Sequence, residues 1–264
     1  EYWLQYILNR GDENMNHILT RSLSFIPYLP ANLRKETYQL DADSFFYRVF
    51  NATIETANDV VNTAYLQAMK IGELDPLYYG SLTVLDSYYC YKAADTLKSL
   101  LCKIDSREEK EMYQLVSGMA DSYDDYNRVF LDSWHLRQSD SVTPTETMYG
   151  YAEHEHNVMC SNDPIYTLVS YIPCYYLWPW FSKQIMENKD YSPGEYADWF
   201  SGNYYGEGSF DSALNIGEFI DKWQKHGKAF DEKVAFDIYK KSMDYELKVF
   251  TEAYNKTKKI MRRK

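Results

Sequence analysis

The sequence is poor in residues that form tight turns and in long apolar runs. Its 264 residues include 8 prolines and 11 glycines, and neither an Asn-Gly nor an Asp-Gly pair occurs in the chain. Those pairs are the strongest local signal for a β-hairpin, so their absence argues against a fold built from hairpins. No apolar run reaches the ~18 residues that a membrane-spanning helix requires, because polar side chains and two prolines interrupt the best candidate, residues 165–181. We therefore expect a soluble, globular protein with no membrane partner.

Positive charge is scarce as well. The chain carries 28 Lys and Arg residues against 39 Asp and Glu residues, which gives a net charge of −11. A negative surface potential repels the phosphate backbone of nucleic acids. The single basic cluster, residues 256–264, is typical of a solvated helix end, where cations complement the helix dipole. The sequence therefore predicts no nucleic-acid partner.

Cysteine is too sparse for a disulfide scaffold, and the motifs of common enzyme classes are missing. The four cysteines form no Cys-x-x-Cys pair of the kind that binds zinc. His154-Glu155-His156 has metal-binding residue types, but residues two apart on a helix point away from each other and cannot share one ion. The sequence also has no phosphate-binding glycine loop, no dinucleotide fingerprint and no Gly-x-Ser-x-Gly elbow. We expect no metal site.

A recurring helix-start signal is what the chain does contain. Four times a side chain that can cap a helix precedes a proline, whose fixed φ suits the first helical turn. The four pairs are Asp75-Pro76, Thr143-Pro144, Asp163-Pro164 and Ser192-Pro193. Between them apolar residues recur at steps of three and four, as at Leu82, Leu85 and Tyr89. The pattern predicts an all-α bundle of about eight helices, near residues 44–71, 76–103, 106–136, 144–160, 164–187, 193–204, 210–226 and 229–260.

The sequence predicts one helical domain with an N-terminal arm. No linker, internal repeat or low-complexity tract divides it. Residues 44–264 are expected to form the bundle, and residues 1–43 an arm packed on it. The compartment stays open, because a chain that begins at Glu1 and two Asn-x-Thr sequons, at Asn51 and Asn255, are compatible with secretion without requiring it.

Cys174 stands out among the cysteines by its setting. It follows Pro173, and Pro179 comes six residues after that proline. Two prolines in one helix remove hydrogen bonds and open space beside the thiol. A cysteine acts as a nucleophile where its pKa is lowered or a base is close. Cys174 is therefore a candidate nucleophile, and a structural role for it stays open.

Two acidic residues lie on apolar helix faces. Asp86 shares a face with Tyr89 and Cys90, and Glu246 shares one with Phe250. A carboxylate is costly to bury unless it is paired, so such residues are enriched at functional sites. Pairing with Lys or Arg at a helix rim is the alternative. The chain also has 27 tyrosines, a residue type that lines pockets for flat, polar heterocycles.

The order of several short motifs resembles the TenA/thiaminase II family. The motifs fall within about residues 60–255 and are, in chain order, Leu85-Asp-Ser-Tyr-Tyr89, Tyr149-Gly-Tyr151, Ile172-Pro-Cys174, Tyr196-x-x-Trp199 and Tyr245-Glu246. The resemblance implies the haem-oxygenase-like all-α bundle of that family, in agreement with the helix-start signal. It also implies a homo-oligomer, a dimer or a tetramer, and a cytoplasmic location.

The resemblance implies roles for individual residues. Cys174 would be the catalytic nucleophile, Glu246 the general acid and base, and Asp86 the carboxylate that binds an aminopyrimidine. The implied substrate-binding residues are Tyr89, Tyr151, Trp178 and Tyr204. Trp178 takes the place of an aromatic residue four positions after the cysteine, and Tyr204 is near a loop position where Asn203 replaces a tyrosine.

The reaction implied by the resemblance cleaves the bond between the methylene of an aminopyrimidine and its leaving group. The small-molecule substrate would be thiamine or the aminomethyl-pyrimidine that forms when thiamine decays. No metal or organic cofactor is required, because a carboxylate polarises the ring, a thiolate adds to it and a second carboxylate moves protons.

Two alternatives stay open. One is base exchange of the thiaminase I type, with an amine or a thiol as acceptor, which the residues at Trp178 and Asn203 suggest. The other is a non-catalytic protein that keeps the pocket for a small ligand, which the unmatched N-terminal segment suggests.

Overall fold

The computed structural model describes residues 40–133 and 138–261, without the side chains of residues 129, 130, 132, 133 and 256–261. Over this part of the chain the fold is all-α, with ten α-helices, three short 3-10 helices and no strand. The α-helices are α1 (Phe45–Ala52), α2 (Ile54–Val61), α3 (Ala64–Lys70), α4 (Pro76–Leu101), α5 (Lys110–Ser133), α6 (Glu146–Ser161), α7 (Pro164–Met186), α8 (Ala197–Asn203), α9 (Asp211–Lys225) and α10 (Glu232–Met261). The 3-10 helices are Ser139–Ser141, Gly194–Tyr196 and Glu207–Phe210. The predicted all-α class is confirmed.

The predicted N-terminal arm, residues 1–43, lies outside the described residues except for its last four. That prediction stays a prediction.

Among the described residues, no helix is both long and apolar enough to cross a membrane.

Residues 44–71 form three short helices where the sequence pattern predicts one. The breaks fall at threonines that bond to the backbone. The Thr53 hydroxyl donates to the Val49 carbonyl at the end of α1, and the Thr63 side chain accepts from the Leu66 amide at the start of α3. Threonine competes for backbone hydrogen bonds in this way, which favours helix ends over helix interiors.

The proline signal marks the starts of α4 and α7 and lies within a few residues of the starts of α6 and α8. Asp75 caps α4 by accepting a hydrogen bond from the Leu77 amide at 2.8 Å, and Asp163 directly precedes α7. The start of α6 lies slightly later than predicted, because the cap is Thr145, which accepts from the Met148 amide. Ser192-Pro193 leads into a 3-10 turn that continues as α8.

Helix α7 lies at the centre of the bundle. Of its 23 residues, 17 are buried, and it packs against α2, α6, α8, α9 and α10. A helix that is apolar on all sides belongs inside a bundle. The helix continues through Pro173 and Pro179, although each lacks the amide hydrogen that would bond to the carbonyl one turn earlier.

Close packing of α9 against α1 depends on Gly217. A Cβ atom at this position would lie 2.8 Å from Cδ1 of Leu40 and 2.8 Å from Cδ2 of Phe46. We expect Gly217→Ala to lower the free energy of unfolding by about 1–2 kcal/mol, because overpacking outweighs the gain in helix propensity. Chemical denaturation would measure this loss. Gly208→Ala is the control, since the nearest atom there is 3.6 Å away, and equal losses would contradict this interpretation of the packing.

Candidate functional site

Four ionisable side chains from four helices form a buried polar cluster within the apolar core. They are Asp86 of α4, Glu155 of α6, Cys174 of α7 and Glu246 of α10, and their exposed fractions are 7%, 1%, 2% and 2%. Helix packing brings them together from positions up to 160 residues apart. Three of them are the residues that the sequence predicts as catalytic.

Glu246 is held by two hydrogen bonds. Tyr151 Oη donates to Glu246 Oε1 at 2.9 Å, and Trp178 Nε1 donates to Glu246 Oε2 at 3.2 Å. Burial raises the pKa of Glu246 to about 7, although both hydrogen bonds act to lower it. A carboxyl group with this pKa can both accept and donate a proton near neutral pH, which is what a general acid and base requires.

The Cys174 thiol accepts a hydrogen bond from Tyr123 Oη at 3.5 Å. Burial raises the pKa of this thiol well above its ordinary value, and the negative charge of Glu246 raises the pKa further, whereas the Tyr123 bond lowers it. The thiol is therefore protonated at neutral pH and needs a base before it can attack. Glu246 is suited to take that proton.

Asp86 is the carboxyl group with the most exposure in the cluster. Burial raises the pKa of Asp86 well above its ordinary value, and the charge of Glu246 adds to that rise. No lysine or arginine within the described residues forms an ion pair with Asp86 or Glu246, so neither is the paired helix-rim carboxylate of the alternative interpretation. Asp86 therefore holds a proton that a ring nitrogen of a ligand can share.

Stacked tyrosines flank the cluster. Tyr151 and Tyr245 stack, with ring centroids 5.4 Å apart and an interplanar angle of 7°. The ring of Tyr89 lies 5.0 Å from that of Tyr151 and is tilted by 34°. Gly150 makes room for this stack, because a Cβ atom there would lie 3.0 Å from Tyr245 Oη. This contact gives a physical reason for the glycine in the motif Tyr149-Gly-Tyr151.

The predicted substrate-binding residues divide into two groups. Tyr89, Tyr151 and Trp178 contact members of the cluster or each other, as described above. Tyr204 does not reach it through any contact of the described residues: its hydroxyl donates to Glu207 Oε1 at 3.3 Å, and Lys183 Nζ lies 5.4 Å from its ring centroid. The reason is local, since Tyr204 is the residue directly after α8 and has extended backbone.

The three residues His154, Glu155 and His156, whose types are those of metal ligands, have different surroundings in the structure. Glu155 points into the cluster, His154 Nε2 lies 3.3 Å from the Ile238 carbonyl oxygen, and His156 faces Cys160. Burial lowers the pKa of His154 to about 4, so this ring is neutral at neutral pH. Among the described residues, no group of three or more His, Cys, Asp or Glu side chains could hold a metal ion.

The sequence analysis did not identify Glu155 as a member of the cluster, or Tyr123 as the residue that donates a hydrogen bond to Cys174. Tyr89 Oη donates to Glu155 Oε1 at 2.8 Å, whereas Glu155 Oε2 has no hydrogen-bond partner in the described part of the chain. A signal for Glu155 exists, because it lies four residues after Tyr151 and therefore on the same helix face. Tyr123 had no comparable signal within its apolar stripe.

Comparisons of sequence find no relative. No protein-family model matches the chain, and no curated protein matches it.

Solved structures share the fold. A TenA family transcription regulator from a Silicibacter species superposes with a TM-score of 0.67 at 11% identity, over 80% of this chain and 96% of that one. A TenA homologue from P. horikoshii gives a TM-score of 0.67 at 13% identity, over 80% and 98%. A candidate TenA-like thiaminase from Sulfolobus solfataricus gives 0.55 at 13% identity, over 79% and 96%. At such identities the likeness establishes the TenA-like, haem-oxygenase-like fold alone, and that prediction is confirmed.

Proposed function

We propose that this protein is a hydrolase of the thiaminase II type, which cleaves thiamine or its aminomethyl-pyrimidine breakdown product at the exocyclic methylene. The observation that supports this function best is the buried arrangement of the Cys174 thiol with the Asp86 and Glu246 carboxyl groups beside stacked tyrosines. Neither carboxyl group has an ion-pair partner among the described residues. A flat heterocycle with amino and ring-nitrogen groups complements such walls and acids.

In the proposed mechanism, Asp86 and Glu246 divide the proton transfers. Asp86 shares its proton with the pyrimidine and makes the ring a better electrophile. Glu246 takes the proton of the Cys174 thiol, and the sulfur forms a bond to a ring carbon. The added electron density expels the leaving group from the methylene, either as ammonia from the protonated aminomethyl group or as neutral thiazole from thiamine. Glu246 then releases the proton that it took from the thiol to the solvent or to the departing ammonia.

Water completes the proposed cycle. It adds to the methylene carbon and gives a proton to Glu246, and the ring then expels the Cys174 thiolate. Glu246 returns the proton to the sulfur, so the protein ends as it began. The products are hydroxymethyl-pyrimidine and the released thiazole or ammonia.

Turnover by the purified protein tests this function. We expect incubation with thiamine, and separately with aminomethyl-pyrimidine, to produce hydroxymethyl-pyrimidine, which chromatography would measure. Addition of pyridine or a thiol should leave the rate of thiamine loss unchanged. Acceleration by those acceptors would instead indicate base exchange, and binding of both pyrimidines without any product would indicate a non-catalytic protein.

A further inference from the structure

Glu155 is a third carboxyl group in the cluster, beyond the two that the proposed mechanism uses. It is 1% exposed. One of its oxygens accepts from Tyr89 at 2.8 Å, and the other, Oε2, has no hydrogen-bond partner within 3.5 Å among the described residues. A buried polar atom without a partner costs free energy, and each such atom in a packed core calls for an explanation.

The surroundings of Glu155 contain acids and no described cation. The ionisable groups that interact with it are Tyr89 and Cys90 of α4, Tyr123 of α5, Tyr151 of its own helix α6, Tyr171, Cys174 and Tyr175 of α7, and Glu246 of α10. The Tyr171 hydroxyl donates to the Ala93 carbonyl oxygen at 3.4 Å. It also interacts with the Glu155 carboxyl group as a hydrogen-bond donor and lowers the pKa of that group. Ion pairs elsewhere in the described residues, such as Lys240–Asp244, join exposed side chains.

Three carboxyl groups and a thiol without a neighbouring cation are complemented best by a positively charged ligand. Burial raises the pKa of Asp86 and of Glu155, and the negative charge of Glu246 raises both further, so the cluster keeps protons. A ligand with a positive charge and an N–H group would supply both the missing charge and the missing donor.

We propose, on the basis of the function proposed above, that Glu155 Oε2 binds the ammonium group of an aminomethyl-pyrimidine substrate. The hydroxymethyl product is neutral, and the thiazolium of thiamine has no N–H at that position. The site therefore prefers the aminomethyl compound to both, and it discriminates substrate from product by charge.

Calorimetric titration with the two pyrimidines tests this assignment. Cys174→Ala serves as the parent so that the ligand is not consumed, and Glu155→Gln is added to it. We expect the affinity for aminomethyl-pyrimidine to fall about ten- to a hundredfold, the effect of one hydrogen bond to a charged group. The affinity for hydroxymethyl-pyrimidine should not change. Glu153→Gln, two residues away and outside the cluster, is the matched control and should change neither affinity.

The outcomes separate this inference from the proposed function. Equal losses for the two ligands, or no loss for either, would overturn the role of Glu155 and leave the hydrolase proposal standing. Failure of the parent to bind either pyrimidine would overturn both.

A second measurement uses the Cys174→Ala parent alone, so it does not depend on whether the Glu155→Gln variant folds. Titrations of the parent in buffers of different ionisation enthalpy report the protons released on binding. The aminomethyl compound should release about one proton more than the hydroxymethyl compound near neutral pH, since a cation favours the ionised carboxyl. Equal proton release would contradict the proposal.

Discussion

Replacement of Cys174 by serine is expected to reduce kcat for pyrimidine release by at least about a thousandfold. Serine keeps the size of the side chain and can still accept the hydrogen bond from Tyr123. Its hydroxyl is a much weaker acid than a thiol, however, so Glu246 cannot generate the oxyanion. The bond to the ring then fails to form, although the ligand still fits.

Two controls make this result interpretable. Cys160→Ser changes an exposed thiol at the end of α6 and should leave kcat unchanged. Binding of hydroxymethyl-pyrimidine by Cys174→Ser should match that of the parent protein. Turnover that survives in Cys174→Ser would show that the sulfur does not attack the ring, and the nucleophile would have to be sought elsewhere.

Glu246→Gln is expected to reduce kcat about 10²- to 10⁴-fold, the usual contribution of a general acid and base. The effect on the pH profile is more specific. Because burial raises the pKa of Glu246 to about 7, activity of the parent should change through an ionisation near neutral pH, and that ionisation should be missing from the residual activity of the variant.

The same substitution should change how stability depends on pH. The pKa of Glu246 is raised from 4.5 to about 7 in the folded state, so between these values the folded protein holds a proton that the unfolded chain has lost. The free energy of unfolding therefore falls as pH rises through this interval, by up to about 3 kcal/mol. In Glu246→Gln this contribution to the fall is absent.

Denaturation at pH 5 and pH 8 would measure the difference. The comparison should use the change between the two pH values, because the glutamine amide cannot accept both the Tyr151 and the Trp178 hydrogen bonds and the variant is destabilised at every pH. Asp244→Asn, a surface change on the same helix, should keep the slope of the parent. An unchanged slope in Glu246→Gln would mean that its carboxyl group titrates normally.

Local chemistry made much of the fold predictable. An aspartate followed by a proline encodes a helix start through neighbouring atoms alone, and so the starts at Pro76 and Pro164 were predicted correctly. Of the two aspartates, only Asp75 makes a side-chain cap hydrogen bond. The helix breaks at Thr53 and Thr63 were not predicted, because apolar periodicity continues across them. There the threonine hydroxyls compete with the helix, and periodicity does not report that competition.

The candidate site was predictable only where a residue is unusual for its own helix face. Asp86 and Glu246 are acids on apolar faces, and the structure buries both. Glu155 lies between two histidines that suggested a metal, and its partner Tyr89 is 66 residues away on another helix. Only the packing of α4 against α6 brings the two together, and no local pattern contains that information. Tyr204 was expected in the site from its position in the sequence, but the extended backbone directly after α8 places its side chain beside Glu207 and Lys183 instead.

The central position of α7 limits which residues can be substituted as the sequence evolves. Cys174 and Trp178 lie one turn apart on a largely buried helix that packs against five other helices, so a change that moves the sulfur also disturbs the core. Changes that move the thiol will cost solubility and yield before they alter chemistry. New substrate preferences, whether from natural drift or from laboratory selection, should therefore accumulate around Tyr245, which is only half-buried, while α7 stays as it is.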